Sequence, residues 1–183
     1  MFSDLKNISK DRFRQQPILE FVSIVIAGLC LPVAFAPFGW WWLAPLCLFA
    51  LFWVWQGKTP KQAFWLGFAF GFASFLTGTY WMHISLHGYG GLSWVVTLPL
   101  MLGLMAIMAL YPALTGYICN RWASQANAWR WLLILPAIWT GFEWLRGWFL
   151  SGFPWLSLGI SQVDSPLSGF SPIIGQYGLT FLV

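Results

Sequence analysis

Long apolar stretches separated by short polar connections are the feature that most constrains how this chain can fold. Only 8% of its 183 residues are charged, while 59% are hydrophobic. Soluble domains usually carry about 25% charged residues, so this chain has too few polar groups to cover a globular surface in water. The pattern excludes a disordered chain, a secreted disulfide scaffold and an ordinary cytosolic enzyme. It predicts an all-α integral membrane protein.

The lengths of the apolar stretches predict about five complete transmembrane helices and the start of a sixth, because one span needs about 20 residues. Residues 1–17 are predicted to form a cytoplasmic basic lead, and residues 18–183 a polytopic membrane domain. The predicted spans cover residues 18–36, 40–55, 62–82, 94–118 and 131–150. A periplasmic loop over 151–171 follows, and then the truncated sixth span over 172–183.

The assignments of the first and the last apolar run each have an alternative. The first apolar run could be a signal peptide, because a basic segment precedes it and Ala34-Phe35-Ala36 resembles a cleavage site. Its length, the proline that follows and the next span favour a retained helix. The last run has 12 residues, far fewer than a span needs. We expect that the chain is cut within its sixth helix, the alternative being a protein that ends there.

The distribution of basic residues predicts the orientation. With the N-terminus in the cytoplasm, eight of the nine basic residues face inside: Lys6, Lys10, Arg12, Arg14, Lys58, Lys61, Arg121 and Arg130. Only Arg146 lies near the outside, as the positive-inside rule requires. These residues interrupt apolar runs and do not gather on one solvated face, so no nucleic-acid partner is predicted.

Few residues in the apolar runs could carry chemistry. Glu143 and Arg146 stand three apart on the fifth helix and therefore share a face. Ionisable residues at membrane depth are functional candidates, although an ion pair that only orients the helix end is equally consistent with the spacing. His83 and His87 could face a metal ion together, but a zinc site needs a third ligand and none lies nearby. We predict no metal and no cofactor, and interpret both as interfacial polar residues.

The segment Gly152-Phe153-Pro154-Trp155 in the outer loop is the second candidate. Glycine and proline favour a fixed bend, and the indole beside them would lie at the level of the lipid head groups. This arrangement suits a surface that contacts lipid. The alternative is one more aromatic anchor at the membrane boundary.

A longer pattern around these residues resembles the membrane half of apolipoprotein N-acyltransferases. It reads Pro136-Ala137-x-Trp139-x3-Glu143-x-Leu145-Arg146-Gly147-x4-Gly152-Phe153-Pro154-Trp155. The similarity continues through Gly159, Ser161-Gln162, Asp164, Pro166-Leu167 and Gly169, and includes the earlier segments Ala36-Pro37-Phe38 and Gly67-Phe68-x2-Gly71-Phe72-x5-Gly78-x2-Trp81. The resemblance covers about residues 21–183, and the outer-loop motif is its most specific part.

The resemblance implies an enzyme of the bacterial inner membrane. Such enzymes transfer an acyl chain from a phospholipid to the N-terminal amine of a diacylglyceryl-cysteine lipoprotein. Their partners are therefore a phospholipid acyl donor, a diacylglyceryl lipoprotein and membrane lipids. Their glutamate base, lysine and cysteine nucleophile belong to a periplasmic nitrilase-like domain after the sixth helix. That domain has no counterpart within these 183 residues, so we expect no catalytic residue in this chain and no turnover by it alone.

The resemblance also implies roles for single residues. Gly152 and Trp155 match loop positions that the family needs for activity, near the route of the substrate lipids. Glu143 and Arg146 precede this loop and are expected to brace it, with Phe153 and Pro154 as supporting residues. Cys30, Cys47 and Cys119 match helices and cannot be the nucleophile. The competing interpretations are a small multi-spanning transporter or channel and a non-catalytic membrane scaffold; no convincing repeat supports the former.

Overall fold

Helices make up all the regular structure of the described chain. The computed structural model describes residues 17–123 and 127–183, so residues 1–16 of the predicted basic lead lie outside the described residues. Within these ranges six α-helices follow one another: α1 (Pro17–Cys30), α2 (Leu43–Trp55), α3 (Pro60–Gly78), α4 (Trp94–Trp122), α5 (Leu135–Arg146) and α6 (Ser171–Leu182). The all-α prediction is confirmed for these residues.

The helices differ in how well they match a membrane span. Among the described residues, the stretches Pro17–Ala34 and Trp94–Trp122 are long and apolar enough to cross a membrane. α2 is also apolar, but it is shorter. α4 continues through Pro99 and Pro112. The count of five spans remains a prediction.

Short irregular helices replace parts of the predicted spans and loops. The first helix tightens after Cys30 into a 3₁₀ turn, Leu31–Ala34, because Pro32 cannot continue the α-helical hydrogen bonds. The segment 83–93, predicted as a loop, contains the π-helical turn Ile84–Tyr89. A second π-helical turn, Arg130–Ile134, leads into α5. The predicted outer loop holds two 3₁₀ turns, Leu158–Gln162 and Pro166–Phe170, after another at Phe149–Ser151.

Glycines allow α3 and α4 to pack with their backbones in contact. A Cβ added at Gly67 would lie 2.5 Å from the carbonyl oxygen of Pro112, and one at Gly71 would lie 3.0 Å from the Cα of Ala109. Side chains at these positions would force the helices apart. Gly67 and Gly71 form a G-x-x-x-G pair, a spacing of small residues that permits such close approach.

A polar network joins the elements at the end of the bundle predicted to face the cytoplasm. The buried amide of Asn120 donates hydrogen bonds to the carbonyl oxygens of Trp55, at 2.7 Å, and Lys58, at 3.1 Å. The guanidinium of Arg130 donates to the side-chain oxygen of Asn120. The ammonium of Lys58 pairs with the carboxylate of Glu20. The start of α1, the α2–α3 turn and the end of α4 thus lie together.

One buried hydroxyl in α4 gives a test of the packing. Thr97 is fully buried, and its hydroxyl has no hydrogen-bond partner among the described residues. We expect Thr97→Val to raise the free energy of unfolding by about 1 kcal/mol, because the methyl group that replaces the hydroxyl has no desolvation cost. Unfolding in mixed detergent micelles would measure the change. Thr79→Val is the control: that equally buried hydroxyl donates to the carbonyl oxygen of Phe75, at 2.6 Å, so its loss should destabilise. Equal losses in both variants would contradict the prediction.

Candidate functional site

The carboxylate of Glu143 on α5 is the most highly connected polar group of the described chain. Its Oε1 accepts hydrogen bonds from the indole Nε1 of Trp139 and the backbone N–H of Leu158, both at 3.1 Å. Its Oε2 accepts from the hydroxyls of Ser157 and Thr180, both at 2.8 Å. A buried carboxylate is tolerated only when such donors satisfy it. Glu143 therefore joins α5, α6 and the segment 147–170 between them, called here the outer segment.

Further hydrogen bonds hold the residues around Glu143 in place. Thr180 on α6 also accepts a hydrogen bond from the backbone N–H of Gly159, at 2.9 Å. Ser161 donates to the carbonyl oxygen of Leu158, at 2.7 Å, and accepts from the amide of Gln162. The same amide reaches the carbonyl oxygen of Trp41, at 3.3 Å. The outer segment is thereby attached both to α6 and to the turn before α2.

Arg146, one turn after Glu143, is almost completely buried. Its guanidinium nitrogen lies 3.8 Å from Oε1 of Glu143, and its guanidinium carbon lies 5.2 Å from the centre of the Phe75 ring. The ion-pair distance is longer than a hydrogen bond. The backbone carbonyl of Arg146 accepts from the N–H of Phe153, at 2.8 Å. Arg146 therefore contacts the outer loop through its backbone and the helix bundle through its side chain.

The loop that follows α5 has a backbone that only glycine accommodates at its central position. Gly152 has φ of +76°, and a Cβ there would overlap the carbonyl oxygen of Gly147. Ser151, directly before Gly152, and Leu156, four residues after it, also have positive φ, of 77° and 57°. Positive φ is costly for residues other than glycine, so surrounding contacts must hold this bend.

An aromatic cluster of Phe75, Trp81, Phe153 and Trp155 supplies some of these contacts. The ring centres of Trp81 and Trp155 lie 5.1 Å apart, and those of Phe153 and Trp155 lie 6.2 Å apart. Phe153 also lies 6.4 Å from Phe75. Pro154, with its fixed φ, connects the two loop rings. Trp155 nevertheless remains 46% exposed, so one part of its indole packs on Trp81 and Phe153 while the rest is exposed.

The predicted site residues thus fall into one continuous region. Glu143 and Arg146 contact each other, and Arg146 contacts Phe153, which packs on Trp155. The partners Ser157 and Thr180 were not predicted. They lie 14 and 37 residues after Glu143, and no local sequence pattern pairs serine and threonine with a distant carboxylate. The contact between Trp139 and Glu143 could have been predicted from the sequence, because Trp139 precedes Glu143 by one helical turn.

The two histidines lie in another part of the chain. The Nδ1 atoms of His83 and His87 are hydrogen-bonded to the carbonyl oxygens of Tyr80 and Leu92, both at 2.6 Å, and both rings lie near Trp94. Within 17–123 and 127–183, no cluster of three or more His, Cys, Asp or Glu could hold a metal ion. The interpretation of these histidines as interfacial residues remains a prediction.

Comparison with known proteins matches this region to one family. The model of the apolipoprotein N-acyltransferase N-terminal domain matches residues 27–183, which include all the site residues described above. The chain belongs to this family. The resemblance inferred from the outer-loop motif is therefore confirmed.

Individual relatives support the assignment over nearly the whole chain. The apolipoprotein N-acyltransferase of Shewanella oneidensis is 37% identical over 100% of this chain and 36% of its own length. Those of Pasteurella multocida and Chromobacterium violaceum are 40% and 41% identical over 92% and 91% of this chain, and 32% of their own lengths. The chain thus spans about one third of the length of these relatives.

Proposed function

We propose that this chain is the membrane portion of an apolipoprotein N-acyltransferase. The complete enzyme would transfer an acyl chain from a phospholipid to the N-terminal amine of a diacylglyceryl-cysteine lipoprotein. Two findings support the proposal: the family match over residues 27–183 and relatives that carry this name and extend well beyond the matched part. The observation that carries it is the outer loop, whose strained bend presents Trp155 outward from a buried polar support.

The proposed location is the bacterial inner membrane, with five spans, a cytoplasmic N-terminus and the catalytic part on the periplasmic side. The surface of α4 supports a lipid environment, because it exposes large apolar side chains such as Val95, Leu98 and Leu100. The contacts between connecting segments support helices that cross the membrane in alternating directions. The α2–α3 turn and the end of α4 share one polar network, while the outer segment contacts the turn before α2.

In this proposal Gly152 and Trp155 form the part of the domain that contacts the substrate lipids. Gly152 sets the direction of the loop, and Trp155 supplies a broad apolar face with one polar N–H, which suits the boundary between acyl chains and head groups. Glu143 and Arg146 act as positioning residues beneath the loop. Phe153 and Pro154 support the indole through ring packing and a fixed backbone angle.

Substitution of Trp155 tests the role of the loop. In the protein extended to the length of its relatives, we expect Trp155→Ala to lower the rate of lipoprotein N-acylation by about 10-fold or more, a loss of about 1.4 kcal/mol of transition-state binding. Trp155→Phe should retain part of the rate, because a smaller aromatic ring still packs on Trp81. Trp65→Ala is the matched control, since Trp65 is an exposed tryptophan of α3 outside the loop. An unchanged rate with Trp155→Ala would contradict the assignment of this residue.

The chain of 183 residues gives a second test. We expect the purified chain in detergent to release no acylated product from a phospholipid and a diacylglyceryl-cysteine peptide. Acyl transfer in two steps needs an accessible, activated thiolate. Cys47 and Cys119 are buried among apolar side chains, and Cys30 is partly buried against the same apolar cluster. Mass spectrometry of the peptide would detect the added acyl group. Acylation of the peptide above the level in a control with phospholipid and peptide but no protein would overturn the assignment of catalysis to residues beyond this chain.

A further inference from the structure

A small cavity lies beneath the outer loop, among α3, α4 and α5. Its volume is about 30 Å³. Its walls are mostly apolar, but the polar side chains of Ser74, Tyr111, Thr115, Glu143 and Arg146 also line it. By the same measure one water molecule needs about 10–15 Å³, so the cavity has room for one or two.

Arg146 is the group in this cavity that needs a partner. Its side chain is 5% exposed, and within 17–123 and 127–183 no protein atom accepts a hydrogen bond from its guanidinium. Glu143 cannot supply that acceptor directly, because its oxygens are bonded to four other donor groups and lie no closer than 3.8 Å. A guanidinium carries five N–H donors. The Arg146 nitrogens are not among the fully buried side-chain atoms without a partner, so its donors open onto the cavity, where water can reach them.

The cavity also offers acceptors on α3 and α4. The hydroxyl of Ser74 on α3 donates to the carbonyl oxygen of Phe70, at 2.8 Å, and that of Thr115 on α4 donates to the carbonyl oxygen of Tyr111, at 2.9 Å. Each hydroxyl proton is used, so each hydroxyl oxygen keeps lone pairs that can accept another hydrogen bond.

We infer that Arg146 binds ordered water in this cavity, and that the water connects the guanidinium on α5 with the hydroxyls of Ser74 on α3 and Thr115 on α4. Water fits both the volume and the polar groups, since it accepts from Arg146 and donates to two hydroxyl oxygens. This hydrated contact is independent of the proposed acyl-transfer function.

A matched pair of threonine variants tests the inference in the purified chain. Thr115 and Thr79 are each 1% exposed, and each hydroxyl donates to the carbonyl four residues earlier, but only Thr115 lines the cavity. We expect Thr115→Val to lower the midpoint of thermal unfolding by about 2–4 °C more than Thr79→Val. In an Arg146→Met background this excess should disappear, because the water has lost the guanidinium that holds it.

A structure of the chain in which ordered waters are visible gives an independent measurement. We expect a water within about 3.2 Å of an Arg146 nitrogen and of the Thr115 hydroxyl. Equal shifts for Thr115→Val and Thr79→Val would overturn the inference. So would a direct hydrogen bond between Arg146 and Glu143, or the elongated density of a lipid head group in the cavity.

Discussion

Glu143→Ala is expected to lower the free energy of unfolding by about 3–5 kcal/mol, the typical cost of removing one partner from a buried ionic contact. The carboxylate accepts from four donor groups: the side chains of Trp139, Ser157 and Thr180 and the backbone N–H of Leu158. Alanine would leave these donors unsatisfied and the buried charge of Arg146 without its counter-ion. Unfolding in mixed detergent micelles would measure the loss.

One further variant separates the charge of Glu143 from its hydrogen bonds, and a variant of another glutamate serves as the control. Glu143→Gln should lose less than alanine, because the hydroxyls of Ser157 and Thr180 can rotate to accept from the new amide. Glu20→Ala is the control on the chain's other glutamate, whose carboxylate pairs with the ammonium of Lys58. Its loss should cost less than that of Glu143, because it removes a carboxylate with one recorded partner and not one with four donor groups. If Glu143→Ala and Glu20→Ala cost the same, the central role given to Glu143 is wrong.

Gly152→Ala is expected to destabilise the outer loop by about 2–4 kcal/mol, because strain at a special backbone angle and a steric clash act together. The residue has φ of +76°, and the added methyl group would overlap the carbonyl oxygen of Gly147. The bend must therefore open, and Trp155 must move relative to Trp81. In the longer protein we expect the rate of lipoprotein N-acylation to fall at least as far as with Trp155→Ala.

Gly169→Ala is the matched control for this prediction. Gly169 lies in the 3₁₀ turn Pro166–Phe170 of the same outer segment, and a Cβ there meets no atom within 4 Å. Its substitution should leave both the unfolding free energy and the acylation rate within experimental scatter. A Gly152→Ala protein with normal acylation would show that the loop direction does not matter for the reaction.

These two substitutions act on one connected unit by different routes. Glu143 holds the outer segment from below through Ser157 and Leu158, whereas Gly152 sets the bend that places Phe153 and Trp155. A double variant should therefore lose less than the sum of the single losses, since residues that share a structural unit are not additive.

The sequence by itself determined the helical class, the close approach at Gly67 and Gly71, and the family, because these depend on local hydropathy, spacing and motif. It also selected Glu143, Arg146, Gly152 and Trp155, since charges in an apolar run and a Gly-Phe-Pro-Trp segment stand out locally. Only the tertiary structure decided what Glu143 contacts. Ser157 and Thr180 reach it across 14 and 37 residues, and such contacts depend on how helices pack after the chain has folded. The same packing buries Arg146 against a cavity, a setting that no spacing rule encodes.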